Sequence, residues 1–124
     1  MCRQIAILLM TIMLNTAVHA KTAGEMLSLC RDVASASVSG ETVRMPTTFD
    51  AGECWGAFGT IQEVMRIVTN NEQRMFRVCP PVNSRRTQQI AVFVQYAERN
   101  PQRWHEGYFF VAIESLRLAF PCRE

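Results

Sequence analysis

This chain has almost no lysine: of its 13 basic residues, all but Lys21 are arginine. It has no basic surplus either. With residues 1–20 and their single charge, Arg3, set aside, 12 basic residues stand against 11 acidic ones, a net of +1. A nucleic-acid binder needs a strong basic patch, so no nucleic-acid partner is expected. No polybasic run suits the chain to an anionic membrane surface. Histidine is scarce, with His105 alone beyond residue 20. Cysteines never occur in the close C-x-x-C pairs that zinc sites favour. No Gly-x-Ser-x-Gly marks a nucleophile elbow. Serines are present, so counting leaves a Ser-His-acid set open. His105, beside Trp104 and Glu106, reads instead as a surface or packed residue. The expectation is a non-enzyme with no catalytic residue, no cofactor and no metal ligand.

What is present begins with a targeting signal. Arg3 gives a short basic start. Ile5 to Leu14 is an almost unbroken apolar run, and Asn15 to Ala20 turns polar and small. Val18 and Ala20 occupy the −3 and −1 positions of a signal-peptidase site, so residues 1–20 read as a cleaved signal peptide. The run is about ten residues, whereas a spanning helix needs roughly twenty. No later stretch is long and apolar enough, so residues 21–124 are expected to form one exported domain without a membrane span.

Export fixes the meaning of the cysteines. Of five, Cys2 leaves with the signal, and Cys30, Cys54, Cys79 and Cys122 remain. An even number in a small exported domain reads as two disulfides. The spacings of 24, 25 and 43 residues do not suit a metal site. Four cysteines allow three pairings, which spacing alone does not decide.

Four segments carry a helical period. The first opens with Thr22 and Glu25 as a capping box, then runs through Met26, Cys30, Val33 and Ser37. Residues 35–48, rich in serine and threonine, form a loop. The second helix is expected to open at Asp50 with Glu53 three positions on. Its stripe is Cys54, Phe58, Ile61, Met65 and Val68, widened by Trp55 and Val64, and it ends at Asn70 and Asn71. Gly56 and Gly59, inside it, suggest close approach of another backbone. A phosphate-binding loop does not fit, because no strand precedes them.

Residues 72–83 form a second connection that ends in Cys79-Pro80-Pro81, where helix is forbidden. Ser84 is the candidate cap of a third helix with Ile90, Phe93, Val94 and Ala97 inward, stopping near Asn100. Asn100 and Pro101 then suit the start of a fourth helix. That helix runs through Tyr108–Ile113, Leu116 and Phe120 and is expected to be buried at the centre. Glu114 and Arg117 are spaced as an exposed pair. The fold class is thus all-α, a compact four-helix domain with two disulfides after a cleaved signal peptide. A simple up-and-down order would place Cys30 near Cys54 and Cys79 near Cys122.

Certain local combinations are more specific than the periodicity. They are Leu-x-Leu-Cys ending at Cys30, Cys54-Trp55-Gly56, Val78-Cys79-Pro80, Asn100-Pro101 and the closing Ala119-Phe120-Pro121-Cys122. With the signal peptide, these residues make the chain resemble the Rap/Tai-type immunity proteins of bacterial type VI secretion systems. The chain departs from the usual pattern at Ala57 and Thr60, with Gly59 displaced. The resemblance implies a small helical periplasmic protein that binds a peptidoglycan amidase effector and blocks its cleft. It also implies a possible homodimer. It transfers no contact residues. On general grounds the loops 35–48 and 72–83 are the candidate contact surface, because loops on a rigid frame usually carry recognition. Trp55 and Trp104 could mark a binding face or belong to the core. The rival reading is a small periplasmic stress chaperone or envelope-complex subunit. No histidine cluster supplies the acid trigger a chaperone of that kind would use.

Overall fold

Thr22 starts the first helix through the expected capping box. In the computed structural model, which describes residues 19–36, 38–39 and 42–123, its hydroxyl accepts from the Glu25 amide. The Glu25 carboxylate accepts in return from the Thr22 amide at 2.7 Å. These bonds hold the Glu25 carboxyl below its ordinary range. The expected signal peptide, residues 1–20, falls almost wholly outside the described residues.

The elements in chain order are helix α1 (Ala23–Ala34), strands β1 (Val38–Ser39) and β2 (Thr42–Val43), helix α2 (Phe49–Met65), helix α3 (Arg86–Arg99), a 3-10 turn (Pro101–Arg103) and helix α4 (Tyr108–Ala119). Among the described residues the molecule is therefore all-α apart from one antiparallel pair of short strands, in which Val38 pairs with Val43 and Ser39 with Thr42. That pair lies inside the segment expected to be a plain loop. Among the described residues no helix is long and apolar enough to cross a membrane.

The inward stripes converge on one core. Met26, Cys30 and Val33 of α1 meet Cys54, Phe58, Ile61 and Met65 of α2, Ile90, Phe93 and Ala97 of α3, and Val111 and Leu116 of α4. Phe58 and Phe93 touch as tilted rings with centroids 5.5 Å apart. Helix α1 packs on all three other long helices. It is the central element, and the expectation that the fourth helix would be central is corrected. Phe110, Arg117 and Leu118 leave one side of α4 in solvent. An α4 that is apolar nearly all round still buries only one face, because nothing among the described residues covers the other.

Four helix boundaries also differ from expectation. Helix α2 is capped by Thr48, whose hydroxyl accepts from the Ala51 amide at 3.1 Å, and not by Asp50. Glu53 instead pairs with Lys21 at 2.9 Å. The helix stops at Met65, so Val68 lies beyond it and is exposed. Helix α3 is flanked by Arg85 with no side-chain cap, while Ser84 accepts from Gln89 Nε2. After Asn100, Pro101 opens only a 3-10 turn, and α4 starts at Tyr108 after Gly107.

The reason lies at that break. Residues 104–107 supply carbonyls to the start of α1: Ala23 N–H donates to Glu106 O at 2.7 Å and Gly24 N–H to Trp104 O at 3.0 Å. These are the amides an α-helix leaves unpaired at its N-terminus. A β-carbon at Gly24 would sit 3.1 Å from Trp104 Cβ and 3.4 Å from its carbonyl oxygen. Glycine permits this approach.

Two disulfides complete the fold. Cys30–Cys54 joins α1 to α2 in the core, with both residues fully buried. Cys79–Cys122 joins the second connection to the chain end. Beside it, Val78 and Pro121 form an isolated bridge, and Cys79 N–H donates to Phe120 O at 2.8 Å.

Candidate interaction surface

The connection between α2 and α3 is built in two stages. Residues 67–75 fold back as a short hairpin: Met75 N–H donates to Ile67 O at 2.9 Å and Thr69 N–H to Gln73 O at 2.7 Å. Glu72, at φ 60°, makes its turn. Arg74 then reaches across to donate to Met65 O at 3.2 Å, tying the hairpin to the end of α2. The second stage is Cys79–Ser84. Pro80 and Pro81 restrict the backbone, the disulfide fixes one end, and Ser84 N–H donates to Pro81 O at 2.9 Å. At the tip Val82 is 104% exposed, an aliphatic side chain held fully in water.

This surface collects a large share of the exposed apolar side chains. Ile67, Val68, Met75 and Val82 all belong to it. Exposed apolar groups gathered in one segment, not scattered singly, mark an interaction site. Arg74, Pro80, Pro81, Val82, Ser84 and Gln89 also border a pocket of about 250 Å³. Gln89 is 2% exposed there and its Oε1 has no hydrogen-bond partner. The other candidate loop starts against α3. Ala34 and Ala36, at its start, share a shallow cavity of about 220 Å³ with Arg85 and the first turns of α3. That cavity sets the start of the 35–48 loop against Arg85 and α3 and includes no residue of 72–83.

The remaining chemistry-bearing residues are absorbed by the frame. Trp55 is half-buried, with the Arg86 guanidinium stacked 4.4 Å from its ring centroid. Arg86 also donates to Gln62 Oε1 at 2.8 Å and to Trp55 O at 3.3 Å. Gly59 leaves room for that guanidinium, since a β-carbon there would lie 3.3 Å from Arg86 Nη1. Gly56 has open space around it, so no close backbone approach explains it. Trp104 donates from Nε1 to Ala97 O at 2.8 Å, and His105 is exposed in the turn before α4. Among the described residues, no three histidine, cysteine or acidic side chains gather as a metal site requires.

The strongest polar cluster was not foreseen. Arg103 grips Glu106 with two bonds of 2.8 and 2.7 Å and also bonds Glu114 and the Tyr96 hydroxyl, each at 2.7 Å. Glu114 is thus committed to Arg103 and not to Arg117. Glu106, then Glu114, raise the Arg103 pKa further above its ordinary range, and Arg103 in return holds the Glu106 carboxyl low. The i,i+3 spacing of Arg103 and Glu106 was the available signal; Tyr96 and Glu114 come from other helices. The cluster locks the 3-10 turn against α3 and α4, and every strong partner in it is used internally. It braces the fold.

A family model for Rap1a immunity proteins matches residues 22–122, from the α1 cap to the last cysteine. No curated protein and no solved structure matches the chain.

Proposed function

The chain belongs to the Rap1a immunity protein family, and from that premise we propose that it is a periplasmic immunity protein that occludes a type VI secretion peptidoglycan amidase. Immunity here is a binding function and needs no chemistry of its own. It requires a partner surface that stays in shape while free, because ordering loops on binding subtracts from affinity. The observation that carries the reading is the family match together with the connection 66–85, held by a disulfide, a hairpin and a proline pair. The apolar segment 5–14 supports export through a cleaved signal, and two disulfides suit an oxidising compartment.

The loops 35–48 and 72–83 are the proposed contact segments, with Val82 as the most projecting group. The test is co-purification with an amidase encoded beside this gene, followed by a peptidoglycan-hydrolysis assay. A stable complex at micromolar concentration with loss of hydrolysis is expected. Absence of a complex with any neighbouring effector would overturn the proposal. The chaperone alternative predicts loss of helical circular dichroism and exposure of apolar surface in mild acid, which the same preparation can report.

A further inference from the structure

Charge is unevenly spread in this molecule. Residues 66–86 contain five arginines and one carboxylate, Glu72, whereas the rest of the chain beyond residue 20 has seven basic against ten acidic residues. Of the five, Arg86 lies on Trp55, Arg66 pairs with Glu63 at 3.5 Å, and Arg85 holds a contact of its own. Arg74 and Arg77 instead line a cavity of about 430 Å³ together with Gln73, Arg123 and the Cys79–Cys122 disulfide. Among the described residues, no carboxylate is in that lining.

Each cation is placed by structure. Arg74 is anchored through Met65 O, which uses one of its five N–H groups. Arg123 directly follows the disulfide-bonded Cys122. Arg77 holds a contact of its own, so the case rests on Arg74 and Arg123. Its backbone nonetheless sits at φ 53°, a conformation that is costly for a residue with a β-carbon and persists only where the surroundings impose it.

We infer that this cavity receives carboxylate side chains from an acidic loop of the protein partner. Guanidinium groups are weakly hydrated and match a carboxylate with two parallel bonds. The hairpin that carries Arg74 also carries Met75, Ile67 and Val68, all about half exposed. Arginine and methionine beside aliphatic groups, without lysine, is the composition of a protein interface. A nucleic acid would need a wider basic field, and a membrane surface a basic amphipathic helix. The inference rests on the immunity reading for the identity of the partner but not for the chemistry of the seat.

Two measurements test it. First, an acetylated tri-aspartate peptide is titrated into the full exported chain while arginine Nε–H resonances are followed by NMR, with sodium chloride at matched ionic strength as control. Shifts confined to Arg74, Arg77 and Arg123 are expected; shifts spread over all arginines, or none, overturn the proposal. Second, the affinity for the co-purified amidase is measured across salt concentrations for the native protein, Arg123→Gln, Arg74→Gln and Arg99→Gln. Arg123→Gln makes no demand on the fold and should weaken binding about tenfold and flatten its salt dependence. Arg99→Gln should change neither. Tight binding by Arg123→Gln with unchanged salt dependence defeats the acidic seat while leaving immunity intact. Peptide shifts at the cavity with no amidase complex would support the seat and remove the immunity reading.

Discussion

The two disulfides sit in opposite surroundings, and the contrast separates the frame from the surface it carries. Cys30–Cys54 is buried where α1 crosses α2, among Met26, Val33 and Phe58. Cys79–Cys122 is half-exposed in a cavity wall among arginines. The loops they close span 24 and 43 residues. Chain entropy separates two such loops by only about 0.5 kcal/mol, in favour of the longer one. Burial therefore decides their relative importance. The core bond reinforces contacts that already exist, while the outer bond is the main tie holding an irregular segment that buries little besides Val78. A frame made by packing can carry a surface made by covalent constraint.

Removing each bond in turn is the sharpest way to break this comparison. The double substitution Cys30→Ala, Cys54→Ala should cost about 4–5 kcal/mol, because cavity formation adds to the lost cross-link. Urea unfolding followed by circular dichroism would measure it. Cys79→Ala with Cys122→Ala should cost about 2–3 kcal/mol. Its distinguishing mark is local: hydrogen-exchange protection should fall in residues 76–85 and 119–123 while α1–α3 stay protected. Equal losses throughout the chain would abolish the distinction between frame and surface.

Acid offers a smaller lever, on the frame alone. Arg103 depresses the Glu106 carboxyl and Thr22 depresses that of Glu25, each from an ordinary value of 4.5. A depressed carboxyl binds its proton more weakly in the folded state than in the unfolded chain. Its contribution is thus complete above the unfolded value and is lost as pH falls below 4.5 towards the folded value. Arg103→Gln should be less stable than the native protein near neutral pH, with the gap closing on acidification. Thermal melts at several pH values would show whether it closes.

The smallest effects come from two glycines. Gly56→Ala, in open space on α2, should stabilise by about 1 kcal/mol through helix propensity. Gly24→Ala should destabilise despite the same propensity, because Trp104 blocks the added methyl at 3.1 Å. Paired denaturant curves would detect both signs.

Much of this was legible in the sequence, for identifiable reasons. Met26, Cys30, Val33, Cys54, Phe58, Ile61 and Met65 repeat at helical spacing and all are buried. The disulfide pairs followed from the up-and-down order. Boundaries were less legible. Asp50 and Glu53 have capping-box spacing, but Thr48 is also able to cap, and only three-dimensional context chooses between them. The break between Pro101 and Tyr108 was hidden because its cause is remote: the carbonyls of Trp104 and Glu106 serve α1, about eighty residues earlier. For the surface, the rule that loops on a rigid frame carry recognition pointed to residues 35–48 and 72–83. The convergence of Arg74 with Arg123 across the outer disulfide depends on the fold.

Hydrogen exchange of the native chain, alone and with saturating co-purified amidase, addresses the division of labour most directly. Strong new protection in residues 66–85, with the already slow amides of α1 and α3 unchanged, is the outcome the structure predicts. Protection confined to the exposed face of α4 around Phe110 and Leu118, with residues 66–85 unaffected, would contradict it.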